Sequence, residues 1–151
     1  MEARASDREA IIALCDRLGD AQDAQDITGI LACYAPDARI FDLATPLETR
    51  GLDGGAIAAW HDTWIASPRF DARDVEITVE GTLAIMVGLH RIRGTKTDGQ
   101  DVDMWFRVTT CLRKIDGAWL IVHDHSSVPF HMDGSDRAAI DLTPQGDSQA
   151  T

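Results

Sequence analysis

The hydrophobic period of this chain changes once, near Pro68, and the change sets its class. Before Pro68 the apolar residues recur mostly at helical intervals, with one short alternating stretch among them. Ile11, Ile12, Leu14, Cys15 and Leu18 fall on one side of a helix, and Ser6 with Glu9 has capping-box spacing, so a first helix is predicted over about 7–22. Asp26 can cap a shorter helix carrying Ile27, Ile30, Leu31 and Tyr34 on one side, which Pro36 and Asp37 would end. ARIFDL (38–43) alternates like a strand, and TPLETRGLDGG is loop chemistry. A third helix, AIAAWHDTWIAS, places Trp60 and Trp64 on one face with His61 beside them, and Pro68 closes it. Beyond it, segments near 72–80, 82–94, 101–115 and 118–128 are rich in Val, Ile, Thr and aromatics. They are separated by turn signals at Glu80-Gly81, KTDGQ and Asp116-Gly117. Three helices followed by an antiparallel meander make an α+β domain, the helices packed on one face of a curved sheet.

A length of 151 residues suits one core, so a single domain over 1–132 is expected, followed by a polar tail over 133–151 with a short turn around Arg137 to Leu142. The net charge of −11 would repel a phosphate backbone or an anionic membrane, which argues against nucleic acid as a partner. No apolar run is long enough for a membrane span, and MEARASDREAI lacks the pattern of a signal peptide, so a cytoplasmic location is expected. Cys15, Cys33 and Cys111 lie among apolar neighbours without metal-ligand spacing and read as buried thiols.

The stretch WLIVHDHSSVPF (119–130) turns from apolar to polar along its length. In an unbroken strand Trp119, Ile121, His123, His125 and Ser127 share one face, and Leu120, Val122, Asp124 and Ser126 the other. Both faces become polar toward the carboxyl end, which fits a strand lining a hydrated cavity and equally a strand emerging into solvent. Two imidazoles on one face would stand roughly 7 Å apart, close enough to grip one ligand. Their surroundings depend on the preceding hairpin. A two-residue turn at Asp116-Gly117 sets Thr110 opposite His123 and Val108 opposite His125. A three-residue turn with a glycine bulge brings Thr109 and Arg107 there instead, with Trp105. His90 shares a strand face with Met86, Gly88 and Ile92. Asp42 is a carboxylate in an apolar strand, which suits a base with a raised pKa or a loop cap. Asp42, His90, His123 and His125 form no recognised metal signature, and no metal or other cofactor is expected.

The order helix, helix, strand, helix and meander, ending in G-x-W-x-I-V-H-x-H-x-S, resembles the nuclear transport factor 2-like superfamily, in its SnoaL-like and ketosteroid-isomerase-related branch. ILACYAPDARIFD, LDGGAIAAWHDTW, DMWFRVTTCLRKIDGAW and IVHDHSSVPF carry the likeness, over roughly residues 7–130. The resemblance implies a cone-shaped α+β barrel with one deep pocket for a small organic ligand, usually in a homodimer. It also implies that Asp42, which ends the pattern Asp37-Ala38-Arg39-Ile40-Phe41-Asp42, is a proton-shuttling base. The isomerases' oxyanion tyrosine falls near Leu18 and their acidic donor around Thr109 to Cys111, so both are missing here. The same likeness puts His123, His125, Ser127 and His90 on the pocket side and Trp60 with His61 at its wall. The expected activity is cofactor-free acid–base chemistry next to a carbonyl, of isomerase, dehydratase or cyclase type. Asp42 would be the base and His123 or His125 would act on the oxygen; Trp60, Trp64 and Trp105 would be walls, and Arg107 would orient an anion. The alternative is a non-catalytic ligand-binding or assembly domain of the same fold.

Overall fold

The computed structural model describes residues 2–146, with side chains from residue 5. Its elements in chain order are α1 (Glu2–Asp23), α2 (Ile27–Leu31), β1 (Tyr34–Phe41), β2 (Thr49–Arg50), α3 (Gly54–His61), β3 (Arg69–Glu80), β4 (Leu83–Thr95), β5 (Asp101–Ile115) and β6 (Ala118–Ser127). The strands form one sheet in the order β2-β1-β6-β5-β4-β3, antiparallel except for β1 beside β6. Helices lie on one face of this curved six-stranded sheet, as the change of period requires.

The departures from expectation are local. α1 already runs through Ser6, so Ser6 and Glu9 do not form its cap. Asp26 does cap α2, its carboxylate accepting from the Gly29 N–H at 3.0 Å. That helix stops at Leu31, and Tyr34 to Phe41 pair with β6, which draws Tyr34 and Pro36 into a strand. Asp42 falls just beyond β1. α3 is capped by Asp53 and ends at His61; Trp64 lies past it, bridged to Lys96, yet its ring still meets Trp60 at 5.5 Å.

Two apolar clusters hold the helices to the sheet. Near the β5–β6 turn, Ile11 and Leu14 of α1 are fully buried against Ala84, Leu112, Trp119 and Ile121, each contributing about 1.5–3 kcal/mol by leaving water. Asp7 ties α1 to the same hairpin, accepting from Lys114 Nζ at 2.7 Å and from Trp119 Nε1 at 3.0 Å. Toward the other end of the strands Trp64, Ile92, Phe106 and Val108 form the second cluster, with Trp60 packed on it. Gly94 is needed there, because a Cβ would sit 3.0 Å from the Trp64 ring. Along the inner face of β5 the order is therefore Leu112 of the first cluster, Thr110, then Val108 of the second. Thr110 marks a polar row between two apolar bodies.

The β5–β6 hairpin follows neither register open to the sequence. It turns on two residues, with φ of 50° at Asp116 and 83° at Gly117, as a type I′ turn requires. Ile115 to Leu112 then pair with Ala118 to Ile121, but Cys111 pairs with His123. Val122 is the extra residue of a β-bulge. It joins Leu120 and Ile115 in the apolar cluster around Ala35. Past this point β6 has changed phase: Asp124 lies opposite Thr110, His125 opposite Thr109 and Ser127 opposite Arg107.

Candidate functional site

The phase change decides which side chains of β6 face inward. Thr110 is buried, and its hydroxyl donates to Asp124 Oδ1 at 2.8 Å. Tyr34, on the neighbouring strand β1, donates its hydroxyl to Asp124 Oδ2 at 3.2 Å. Asp124 thus replaces His123 and His125 on the inner face. Asp124 keeps some accessible surface although protein surrounds it on nearly every side.

Burial pushes the Asp124 carboxyl above the usual carboxylate range and the charge of Asp42 adds to this, against the bonds from Thr110 and Tyr34 and the nearby His123. The Tyr34 phenol is held well above its ordinary value, first by burial, then by the charge of Asp124 and the bond to it. At neutral pH Tyr34 therefore stays protonated, and Asp124 binds a proton more readily than a carboxylate in water.

The predicted histidine pair lies on the opposite face. His123 and His125 meet the Phe41 ring edge-on at 4.9 and 5.3 Å, and His123 Nδ1 lies 2.6 Å from the Arg39 carbonyl. Ser127 accepts from exposed Arg107 Nε at 3.2 Å, and Trp105 is covered by the Arg91 guanidinium. These five residues, His123, His125, Ser127, Trp105 and Arg107, share the outer face of the sheet: the bulge turns His123, His125 and Ser127 there, and the alternation of β5 puts Trp105 and Arg107 beside them. Asp42 is exposed, its Oδ1 accepting from the Leu43 N–H at 2.6 Å, although its charge is felt by both Asp124 and Tyr34.

His90, Trp60, Trp64 and His61 remain on the helix-covered side. His90 faces inward beside Phe106, and burial lowers its pKa. His61 is 3% exposed with neither ring nitrogen hydrogen-bonded among the described residues; burial lowers its pKa too, against the charge of Asp62. Among the described residues no group of three or more His, Cys, Asp or Glu side chains converges to hold a metal ion. Two hollows, of 390 and 440 Å³, include none of Asp124, Tyr34 and Thr110.

A model of the SnoaL-like domain matches residues 11–131, which spans both apolar clusters and the Tyr34–Asp124–Thr110 row. The chain belongs to the SnoaL-like domain family. Among solved structures, this SnoaL-like domain is similar to a nuclear transport factor 2-like protein of unknown function from Pseudomonas putida, with 28% identity over 93% of this chain and 98% of that one and a TM-score of 0.78. A proposed dehydratase of that superfamily from Streptomyces avermitilis shares 16% identity over 82% and 96% of the two chains, with a TM-score of 0.68. A proposed ketosteroid isomerase from Shewanella frigidimarina shares 21% over 78% and 94%, at 0.64. The last two establish likeness of fold alone. No curated protein matches the chain. Among the described residues no helix is long and apolar enough to cross a membrane.

Asp124 was the residue that sequence reasoning missed. It stands in plain view between two histidines, but an unbroken alternation assigns it to the wrong face. The available signal was Tyr34 and Thr110, two hydroxyls in otherwise apolar runs that need a shared acceptor.

Proposed function

We propose that this SnoaL-like domain is a small-molecule enzyme that performs cofactor-free acid–base chemistry next to a carbonyl, of isomerase, dehydratase or cyclase type. The observation that carries the reading is the inward-facing Asp124 carboxyl, raised in pKa by burial and bonded to Tyr34 and Thr110. When Asp124 is protonated and Tyr34 turns its hydroxyl from Asp124 Oδ2 to the ligand, the two become acidic hydrogen-bond donors in a poorly solvated setting, which is what an enolate oxygen needs as charge develops on it. They supply from β6 and β1 the donor chemistry missing at Leu18 and at Thr109 to Cys111. Asp42, at the end of β1, is the carbon-side base once its carboxylate leaves the Leu43 N–H. Its negative charge favours the protonated form of Asp124, so the two carboxyls divide into base and acid.

The substrate class follows from strand parity. Arg91 and Arg107 lie on the outer face, and among the described residues the inward positions of β4, β5 and β6 carry one lysine and no arginine: Lys114, beside the β5–β6 turn, whose charge is paired with Asp7. His90 and His61, with lowered pKa values, favour the neutral form. A neutral ketone, enone or hydroxyketone suits this lining, and an anion does not.

The test is exchange of α-protons for deuterium in a panel of neutral ketones and enones, followed by NMR. Asp124→Asn and Asp42→Asn are each expected to slow exchange by about 100-fold or more, with His125→Asn unchanged. Full exchange by a folded Asp124→Asn variant would sink the proposal. The rival reading, a ligand-binding domain without catalysis, draws on both Asp124 oxygens being occupied from within the protein. It predicts saturable binding of such ketones with no exchange in the wild type.

A further inference from the structure

Seven residues beyond Met86 on β4, or about 23 Å along the strand, lies a feature that the acid–base site does not use. Arg93 of β4 stands directly opposite Arg69 of β3. Like charges in that position repel, and strands normally avoid them. The neighbouring carboxylates are already engaged. Asp103 receives both Nε and Nη2 of Arg91, at 2.7 and 2.8 Å; Asp71 receives Arg93 Nη2; Asp101 receives the Thr95 hydroxyl. Arg93 Nε is buried without a partner, and Arg69 has no hydrogen bond or ion pair among the described residues. In a chain with 25 acidic residues against 14 basic ones, a guanidinium set beside another and left without a carboxylate is unexpected.

Both arginines line a hollow of 390 Å³, whose remaining wall includes Ile65, Ala66 and the backbone of Gly94. Ile65 is 67% exposed, an apolar side chain standing in water next to the two cations. We propose that this hollow is a second binding site, separate from the Asp124 site, that takes an organic carboxylate with a short apolar tail. The carboxylate bridges Arg69 and the exposed part of the Arg93 guanidinium, which removes the repulsion between them, and the tail covers Ile65 and Ala66. Arginine suits this role because its planar donors match both carboxylate oxygens. The Asp71 charge beside Arg93 weakens the site and limits it to modest affinity.

Hexanoate and inorganic phosphate are the probes, each titrated into the full chain while backbone amides are followed by NMR at constant ionic strength. Hexanoate is expected to give saturating shifts confined to residues 65–69 and 93–95, with a Kd on the order of 1 mM. Arg69→Gln, on an exposed side chain, is expected to weaken it about 10-fold. Ile65→Ser is expected to weaken hexanoate but not phosphate. Equal binding of hexanoate and phosphate, indifferent to Ile65→Ser, would overturn the organic-acid assignment. An absence of saturating shifts, or shifts unchanged in Arg69→Gln, would overturn the site itself.

Discussion

Replacing Thr110 with valine removes one donor from the buried carboxyl while keeping the shape of the side chain. Thr110 is 3% exposed, so solvent cannot take over its bond to Asp124. A hydrogen bond to a charged group contributes about 1.5–3 kcal/mol, and one to a neutral carboxyl about 0.5–1.5 kcal/mol. The valine methyl recovers up to about 0.8 kcal/mol by burial. The net cost is then roughly 1–2 kcal/mol when Asp124 is ionised and close to zero when it is protonated, so the penalty depends on pH. Because burial raises the folded pKa of Asp124, this group favours the folded state most below the unfolded value of about 3.9. That contribution is lost as pH rises through the folded pKa. Loss of the Thr110 bond raises that folded pKa further and extends the window upward. Urea unfolding followed across the pH range measures both quantities; thermal melts should show a drop of about 2–8 °C where Asp124 is ionised and little change where it is protonated. Equal destabilisation across the whole pH range in which the protein folds would refute the reasoning, since it would mean that Asp124 does not change charge against Thr110.

Other expectations follow from single features. His90 and His61 should titrate below the free value of about 6.5 in ring NMR spectra, and folding stability should fall as pH drops from that value through their folded pKa values. Values at or above 6.5 would contradict the burial seen for both. Gly117→Ala meets no atom within 4 Å, so its cost should be purely backbone, about 1 kcal/mol from φ of 83°, read as a shift in urea midpoint with unchanged slope. Gly94→Ala should cost more, about 1–3 kcal/mol, because the new methyl meets the Trp64 ring; the loss should shrink when Trp64 is replaced by leucine.

The fold was legible because period and turn chemistry are local. The shift at Pro68, the Asp26 cap and the Asp116-Gly117 turn each act over a few residues and survive packing. The face of the last strand was not legible, because a bulge is chosen by partners far away in sequence. Val122 ends an apolar run that begins at Ala118, and alternation rightly sets Ile121 and Val122 on opposite faces; what it does not show is that His123 stays on the side of Val122, opposite Cys111, so that Asp124 turns inward to Thr110. Tyr34 was misplaced for a related reason. Its helical spacing from Ile27, Ile30 and Leu31 is real, but pairing with β6 outweighs five residues of helix. Asp42 lies just beyond β1 and not within the strand expected over 38–43; that its side chain accepts from the Leu43 N–H is a choice of rotamer, on which sequence is silent.

The bulge at Val122 also means that ten residues of one strand hold two sets of reactive groups, of which one faces inward. With Val122 as the extra residue, the inner face receives a carboxyl and a hydroxyl from Asp124 and Ser126. Moving the extra residue beyond Ser127 would deliver two imidazoles and a different hydroxyl, from His123, His125 and Ser127, without altering a single side chain. A lineage built on this strand can thus trade acid chemistry for imidazole chemistry by a slip in phase, and substitutions elsewhere need only favour one slip over the other.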